Sequence, residues 1–451
     1  MMRLLKVLAW IVGVVLVLAL SLLTTIDRTP YQEMPYYEAM HARMDSLAAA
    51  YQNSVGDTLQ VGWAEASLVY PEPIPLAGYG KRKGAHFEDV HDSVGVKAMV
   101  FSNGKAKAAI VSFDLLITPP EVVIRLKNLL PSLGYSMQNT FFTAVHSHCS
   151  IGAWSPGLTG KLFAGTYQPE VADFIAEAVV QSIKGAEENK EKARIGFATF
   201  DAGELIYNRL VKEKGSIDPW FRVMKVVKDS GKSALFTTFA AHATTLPSSF
   251  LALSADYPAA LRKTFVADSL ADFVIYGAGA VGSQGPNSPK GVDGWEKAEY
   301  ISGHLATQFA QISFLIQPEY VISISSGFLP LELRQPSFKV SENISARPWV
   351  FYWLFGNYDS GISYLKIGDN LLVGTPCDFS GELMAPLDSM ARARGQNLMV
   401  TSFNGGYIGY ITKDEWYDLN KYETHTMNWF GPYNGAYFSE IISSLVETAT
   451  E

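Results

Sequence analysis

The stretch FFTAVHSHCS, residues 141–150, is an apolar run that stops on two histidines separated by one serine. Read as a strand, it turns every second side chain to one face, which sets His146 and His148 side by side, roughly 6.5 Å apart. Two readings are open at this point. The pair is either half of a metal site at a strand end, or two polar residues where a strand leaves the core.

The neighbouring segments decide the fold class. VKAMVFSNGKAKAAIVSFDLL (96–116) reads as two strands joined at Asn103-Gly104, a dipeptide suited to a tight hairpin turn. EVVIRLKNLLPSL (121–133) has helical spacing, and QPEVADFIAEAVVQSIKGAEENKEKA (168–193) reads as a longer helix with a solvated charged end. Strand-like runs return in RIGFATFDAG (194–203), FRVMKVVKDSGKSALFTTFAAHATTL (221–246) and DFVIYGAG (272–279), with a helix over SADYPAALRKTFVADSL (254–270) and helical texture in AYFSEIISSLVETATE (436–451). With no internal repeat and no low-complexity linker, this alternation reads as one large α/β domain, layered, with central β-sheets flanked by helices. A chain of 451 residues, 48% hydrophobic, has ample material for such a core.

The N-terminus is read separately. Val7–Ile26 is a run of 20 uncharged residues, long enough to span a bilayer, and Arg3 and Lys6 before it place the N-terminus on the cytoplasmic side. A cleaved signal peptide, with Ala19–Ser21 as its small-residue cleavage site, is the alternative. The run exceeds a signal-peptide core of ~7–15 residues, which favours an uncleaved transmembrane helix. In both cases the body is exported. The expected organisation is therefore 1–26 as anchor or signal segment, 27–58 as a short stalk with an amphipathic helix, and 59–451 as the main domain. A net charge of −8 without a basic stripe speaks against nucleic acid as a partner.

Of the eight histidines, His41, His86, His91 and His304 sit in helices or charged loops as ordinary polar residues, and His425 in an aromatic loop is undecided. His146, His148 and His242 each follow an apolar strand-like run, where a rigid backbone directs side chains into a pocket. Asp378 follows another such run in LLVGTPCDFSGEL, and Tyr407, Tyr410, Tyr417 and Tyr422 crowd a glycine-broken stretch. Aromatic packing is the expectation for Tyr407 and Tyr417.

Taken in order, these segments resemble the neutral (alkaline-type) ceramidases, zinc-dependent amidases. IPLAGYG and the hairpin at 96–116 are similar to the family's opening blocks, and FFTAVHSHCS to its Thr-His-Thr-His-Ser segment. NRL (208–210) with IDPWFRVMKV, AAHATTL with LSADYPAAL, GTPCDFSGEL, and YIGYITKDEWYDLNKYE followed by WFGP continue the match from about Gly62 to Pro432. The resemblance implies zinc bound by His146, His242, Asp378 and Tyr410. It also implies that His148 and Arg209 face the substrate carbonyl and that Tyr422 lines the reacting centre. The implied reaction is cleavage of the amide bond of an N-acyl, ceramide-like lipid by a zinc-activated water. Another amide or ester substrate, or a non-catalytic binding protein on the same fold, are the alternatives.

Three departures stand out. Asp378 occupies the position of the family's glutamate ligand, one methylene shorter. Gly279 stands where the family has an active-site serine, and Ser283 where it has an aspartate, which favours attack by water over attack by a serine. The chain also ends soon after WFGP, so only the N-terminal catalytic domain is expected and no C-terminal immunoglobulin-like domain. Finally, Cys149 and Cys377 border proposed site residues, and two readings stay open for them: two buried free thiols, or an approach behind the metal that an exported protein could close as a disulfide.

Overall fold

The computed structural model describes residues 2–450. Its helices are α1 (Met2–Leu22), α2 (Pro35–Ala50), α3 (Pro120–Leu129), α4 (Gly157–Ala164), α5 (Pro169–Glu188), α6 (Tyr257–Ala267), α7 (Gly294–Ile312), α8 (Pro348–Phe355), α9 (Met384–Ala393) and α10 (Asn434–Thr448). Two sheets carry the body. The larger has eight strands in the order Phe273–Ala278, Ser233–Phe239, Trp220–Lys228, Glu191–Asp201, Gln60–Ser67, Gly95–Ser102, Lys107–Phe113 and Thr140–Ala144. The smaller has five, of which Gly361–Ile367, Asn370–Gly374 and Asn397–Thr401 are successive neighbours.

The period-2 alternation of these strands builds four layers. From the strand Gly95–Ser102, Val96, Ala98 and Val100 pack with Val171 and Ile175 of α5, in a core shared with Leu261 and Phe265 of α6. The alternate residues Met99 and Phe101 join Ile110, Phe141 and Phe236 against Ile324, Leu365, Leu372 and Met399 of the second sheet. That sheet repeats the pattern: Leu371 and Val373, flanking Leu372, turn outward onto α9, α10 and α2. In the strands Gly95–Ser102, Lys107–Phe113, Thr140–Ala144, Asn370–Gly374 and Asn397–Thr401 side chains on both faces are thus withdrawn from water, which is why these runs read as nearly continuous apolar sequence.

The large sheet curls until its two edge strands lie side by side. Ser112 Oγ donates to the Tyr276 carbonyl oxygen at 2.6 Å, and a Cβ at Gly277 would stand 3.0 Å from the Thr143 side chain. The strands Ser233–Phe239 and Thr140–Ala144, far apart in sheet order, therefore end at the same place, and His242 and His146 follow those ends.

Several sequence expectations are modified. The strand at 140–144 stops before the histidines, and His146 takes a left-handed backbone conformation with φ 65°. The i, i+2 geometry expected for the pair does not apply. The helix expected over 168–193 ends at Glu188, where Asn189 donates to the Gly185 and Trp63 carbonyl oxygens and frees Glu191 onward for a strand. The apolar run at 7–26 is helical only to Leu22. Leu23–Thr25 pairs with Ile344–Ala346, and Ile26 is buried. The segment expected as a stalk lies against the body: Tyr31, Met40 and Met44 enter its core, and Arg28 pairs with Asp418. Both cysteines are free and buried, Cys149 beside the Arg82 guanidinium and Cys377 in the outer core of the second sheet, which is the free-thiol reading of the two.

Because a Cβ at Gly277 would already press on Thr143 and Phe236, the branched side chain of Gly277→Val should force the edge strands apart. Thermal unfolding should report a loss of about 1–3 kcal/mol, and metal binding by the purified variant should weaken as the two histidine-bearing ends separate.

Candidate metal centre and its cavity

Each residue of the site is placed by a specific local device. His146 is held in its strained conformation by its ring, which stacks on Phe403 at 4.0 Å, and by its Nδ1, 2.6 Å from the Leu116 carbonyl oxygen. Such backbone strain costs about 1–3 kcal/mol and persists where surrounding structure fixes it, often at functional sites. His242 Nδ1 lies 3.3 Å from the Val281 carbonyl oxygen. The loop after it is fixed by buried Asp256, which accepts from the Thr245 and Leu246 amides. The loop carrying His148 is knitted by buried Arg82, which donates to the His148, Ala77, Ser248 and Phe250 carbonyl oxygens. Gly78 lets a second segment pass close by, since a Cβ there would stand 2.7 Å from the His148 Cα.

Asp378 and Tyr410 arrive together. Asp378–Phe379 and Tyr410–Ile411 form a two-stranded parallel ladder in which Asp378 is directly opposite Tyr410. Arg209 is set by its own amide, which donates to the Ser283 carbonyl oxygen. Its guanidinium donates to the Tyr410 hydroxyl at 2.9 Å and lies 2.9 Å from Glu423 Oε1. Tyr422 is half-exposed, opens the π-helical turn Tyr422–Thr426, and has its ring 5.9 Å from that of Tyr410.

The donor atoms converge. His146 Nε2 is 2.8 Å from His242 Nε2 and 3.3 Å from His148 Nε2, and the Asp378 Oδ1 atom is 3.7 and 3.8 Å from the first two. Ligands at tetrahedral zinc, bound near 2.0–2.2 Å, stand about 3.3–3.5 Å from one another. The His146–His148 separation matches this value, while His146 and His242 stand closer and Asp378 slightly farther, so seating a small cation calls for shifts of a few tenths of an ångström that part the two imidazoles and draw Asp378 in. The three histidines form a cluster able to hold a metal ion.

The electrostatics agree. Asp378 Oδ1 is fully buried with no hydrogen-bond partner, while Oδ2 accepts from the Tyr407 hydroxyl at 2.7 Å. Burial pushes the Asp378 carboxyl up to about 7, partly offset by Tyr407 and Arg209. Burial likewise drives His146 down to about 3, and His148 and His242 well below 6.5, with Arg209 adding to each. Three neutral imidazoles and an orphaned carboxylate oxygen form a donor set that a divalent cation would complete.

The second contacts divide the histidines. His146 and His242 each have Nδ1 on a backbone carbonyl, which fixes the tautomer with Nε2 free to ligate. His148 Nδ1 has no partner, and its half-buried ring lies 4.7 Å from Tyr79. His146, His148, His242, Arg209, Tyr410 and Tyr422 line a cavity of ≈1280 Å³ whose walls also include Leu116, Ile117, Trp154, Phe163, Phe351, Phe355 and Trp429.

Three contributors were not expected from the sequence. Tyr407, read there as packing, holds Asp378, and Glu423 and Arg82 carried no pattern that distinguished them. Tyr417 is packing, buried beneath the Lys339 ammonium. His41, His86, His91, His304 and His425 lie outside the metal-competent cluster. At Gly279 a Cβ would stand 2.9 Å from the Phe239 carbonyl oxygen, so even an alanine is too large without a shift, and Ser283 is buried on Ser380.

With the geometry established, comparison with known proteins is informative. The sequence pattern of the family described as neutral/alkaline non-lysosomal ceramidase, N-terminal, matches residues 71–261. The crystal structure of neutral ceramidase from Pseudomonas aeruginosa is similar with a TM-score of 0.74 and 17% identity, covering 88% of this chain and 75% of that one. A ceramidase complexed with C2 gives a TM-score of 0.73 at 17% identity, covering 87% and 76%. The chain has a neutral-ceramidase fold. The likeness in structure runs over most of the chain, well beyond the segment where the sequence pattern matches. Comparison with curated proteins finds no match.

Two outcomes test the site. In metal-free protein, each histidine is protonated below its ordinary 6.5 when unfolded but not when folded, so acidification opposes folding. Asp378 acts in the opposite sense between 3.8 and about 7. Three imidazoles outweigh one carboxyl, so the unfolding midpoint should fall from about pH 6.5 toward 4, and less steeply in H146Q; equal slopes would contradict this. In Y407F, competition with a chelating dye should show metal affinity reduced about 10–100-fold.

Proposed function

We propose that the protein is a membrane-anchored, zinc-dependent amidohydrolase that cleaves the amide bond of an N-acyl lipid of the ceramide type, with its catalytic domain on the outer side of the membrane. The observation that carries this reading is the unpartnered, buried Asp378 Oδ1 beside His146 and His242, two histidines that line a large cavity with many apolar side chains in its walls. The cavity is ample for a substrate with long hydrocarbon chains, and the fold is one that ceramidases use.

In this reading His146, His242, Asp378 and the Tyr410 phenol hold the metal. Bound zinc would supply a water acidic enough to be nucleophilic at neutral pH. Arg209 keeps its charge despite burial because Tyr410, Glu423 and Asp378 surround it, and it donates to the carbonyl oxygen as negative charge develops there. Glu423 and Tyr410 hold the guanidinium in place, so little reorganisation is needed. Neutral His148 takes up the proton released as water adds to the carbonyl carbon. The resulting imidazolium returns it to the nitrogen as the C–N bond breaks. Burial and the nearby Asp378 raise the Tyr422 phenol to about 12, so it remains a hydrogen-bond donor to the substrate throughout. Gly279 offers no hydroxyl, so water is the nucleophile.

The 451-residue protein in detergent should contain close to one zinc per chain and release fatty acid from a long-chain ceramide. H146A and H242A should lose both metal and activity. R209K should keep the metal while kcat falls about 10²–10³-fold, the usual cost of losing an oxyanion donor. Absence of metal together with absence of hydrolysis would overturn the reading. Zinc-dependent cleavage of esters or other amides, with ceramide untouched, would shift it to a different substrate.

A further inference from the structure

The helices α4 and α8 form part of the cavity wall and also present apolar side chains to solvent. In α8, Phe351 is buried and Tyr352 and Phe355 line the cavity, while Trp349 and Trp353, one turn apart, are 55% and 72% exposed. In α4, Thr159 and Phe163 line the cavity, while Leu158 and Leu162, again one turn apart, are 65% and 56% exposed. The two helices touch, with Thr159 Oγ1 donating to the Leu354 carbonyl oxygen at 2.6 Å. Two short helices therefore each carry an i, i+4 pair of large apolar side chains outward from the same wall.

This wall is joined directly to α1, a helix long and apolar enough to cross a membrane. The Arg347 amide donates to the Leu22 carbonyl oxygen and its Nε to that of Leu20, at 2.8 and 3.0 Å. Trp349 Nε1 donates to the Ser21 carbonyl oxygen at 3.3 Å. The ladder of Leu23–Thr25 with Ile344–Ala346 leaves no slack between α1 and α8. When α1 spans a bilayer, its last turn is at the lipid–water boundary. The indole of Trp349 is hydrogen-bonded to that turn, at the depth where tryptophan is enriched in membrane proteins.

We propose that α4, α8 and the end of α1 form a single bilayer-docking face. It seats the cavity wall in the headgroup layer, so that a lipid substrate enters from the leaflet in which the chain is anchored. The proposal rests on the lipid-amidase reading only for what enters the cavity; the docking itself does not depend on catalysis. The occupant is the bilayer because the apolar pairs continue from a membrane-length helix through direct hydrogen bonds.

The test uses the full chain reconstituted in phosphatidylcholine vesicles. An environment-sensitive fluorophore is attached at W353C and, for comparison, at K232C, in the turn at the opposite end of the strand that leads to His242; native Cys149 and Cys377 are buried. The label at 353 should shift to the blue and be quenched by lipids carrying a nitroxide on the acyl chain, while the label at 232 stays unquenched. Equal quenching at both positions would overturn the proposal, as would a blue shift at 353 that scales with protein density instead of lipid, the behaviour of self-association. A matching melting temperature for each labelled variant and the wild type confirms folding. In W349S/W353S, turnover of a vesicle-embedded N-acyl lipid should fall about tenfold as interfacial docking is lost, with a water-soluble short-chain amide unaffected. Equal loss on both substrates would count against docking. Quenching without hydrolysis of either substrate would retain the docking face and reject the lipid-amidase reading.

Discussion

A carboxylate oxygen that is fully buried and accepts no hydrogen bond costs a folded protein several kcal/mol unless a positive charge meets it. Asp378 Oδ1 is such an atom, and its neighbours within 4 Å include the Nε2 atoms of two neutral imidazoles. Arg209 is the nearby permanent cation, but its guanidinium is engaged by Tyr410 and Glu423. The site is thus arranged around a charge deficit, and much of the surrounding structure keeps its donors from relaxing into other contacts. Phe403 and the Leu116 carbonyl hold His146, the Val281 carbonyl holds His242, and Tyr407 holds the other oxygen of Asp378.

Meeting that constraint requires residues from distant parts of the chain to converge. The curl of the eight-stranded sheet brings the ends of two remote strands together, through contacts as small as Ser112 with Tyr276 and Thr143 with Gly277. The ladder between Asp378 and Tyr410 adds a carboxylate and a phenol in one step. Packing of the two sheets on one another makes this floor rigid, while the two short helices α4 and α8 form part of the wall above it. Rigidly held donors that open on a largely apolar cavity are the arrangement on which the proposed lipid-amide reading rests.

The hairpin at Asn103-Gly104, the long helix from Pro169 and the layered α/β class were legible in the sequence because each depends on local periodicity and turn chemistry. His146, His242 and Asp378 could be singled out because each follows an apolar run. Other features could not be read. The left-handed backbone at His146 has no signature in a Val-His-Ser sequence, and alternation in an imagined strand gave the wrong geometry for the pair. Tyr407 looked like one of four clustered aromatics, and only the fold turns its hydroxyl onto Asp378. The end of the helix at Leu22 was hidden because Leu23–Ile26 continues the run with no charge, proline or glycine to mark the change to an extended backbone. The choice between free thiols and a disulfide stayed open in the sequence because spacing along the chain does not say which core each cysteine enters; Cys149 lies beside Arg82 and Cys377 in the outer core of the second sheet.

The central claim is that a metal occupies the space between His146, His242, Asp378 and Tyr410. Crystals of the 451-residue protein, measured on both sides of the zinc absorption edge, address it directly. The account predicts one strong anomalous peak at about 2.0–2.2 Å from His146 Nε2, His242 Nε2 and Asp378 Oδ1. A zinc-replete crystal with no peak there, or with its peak elsewhere in the chain, would contradict it.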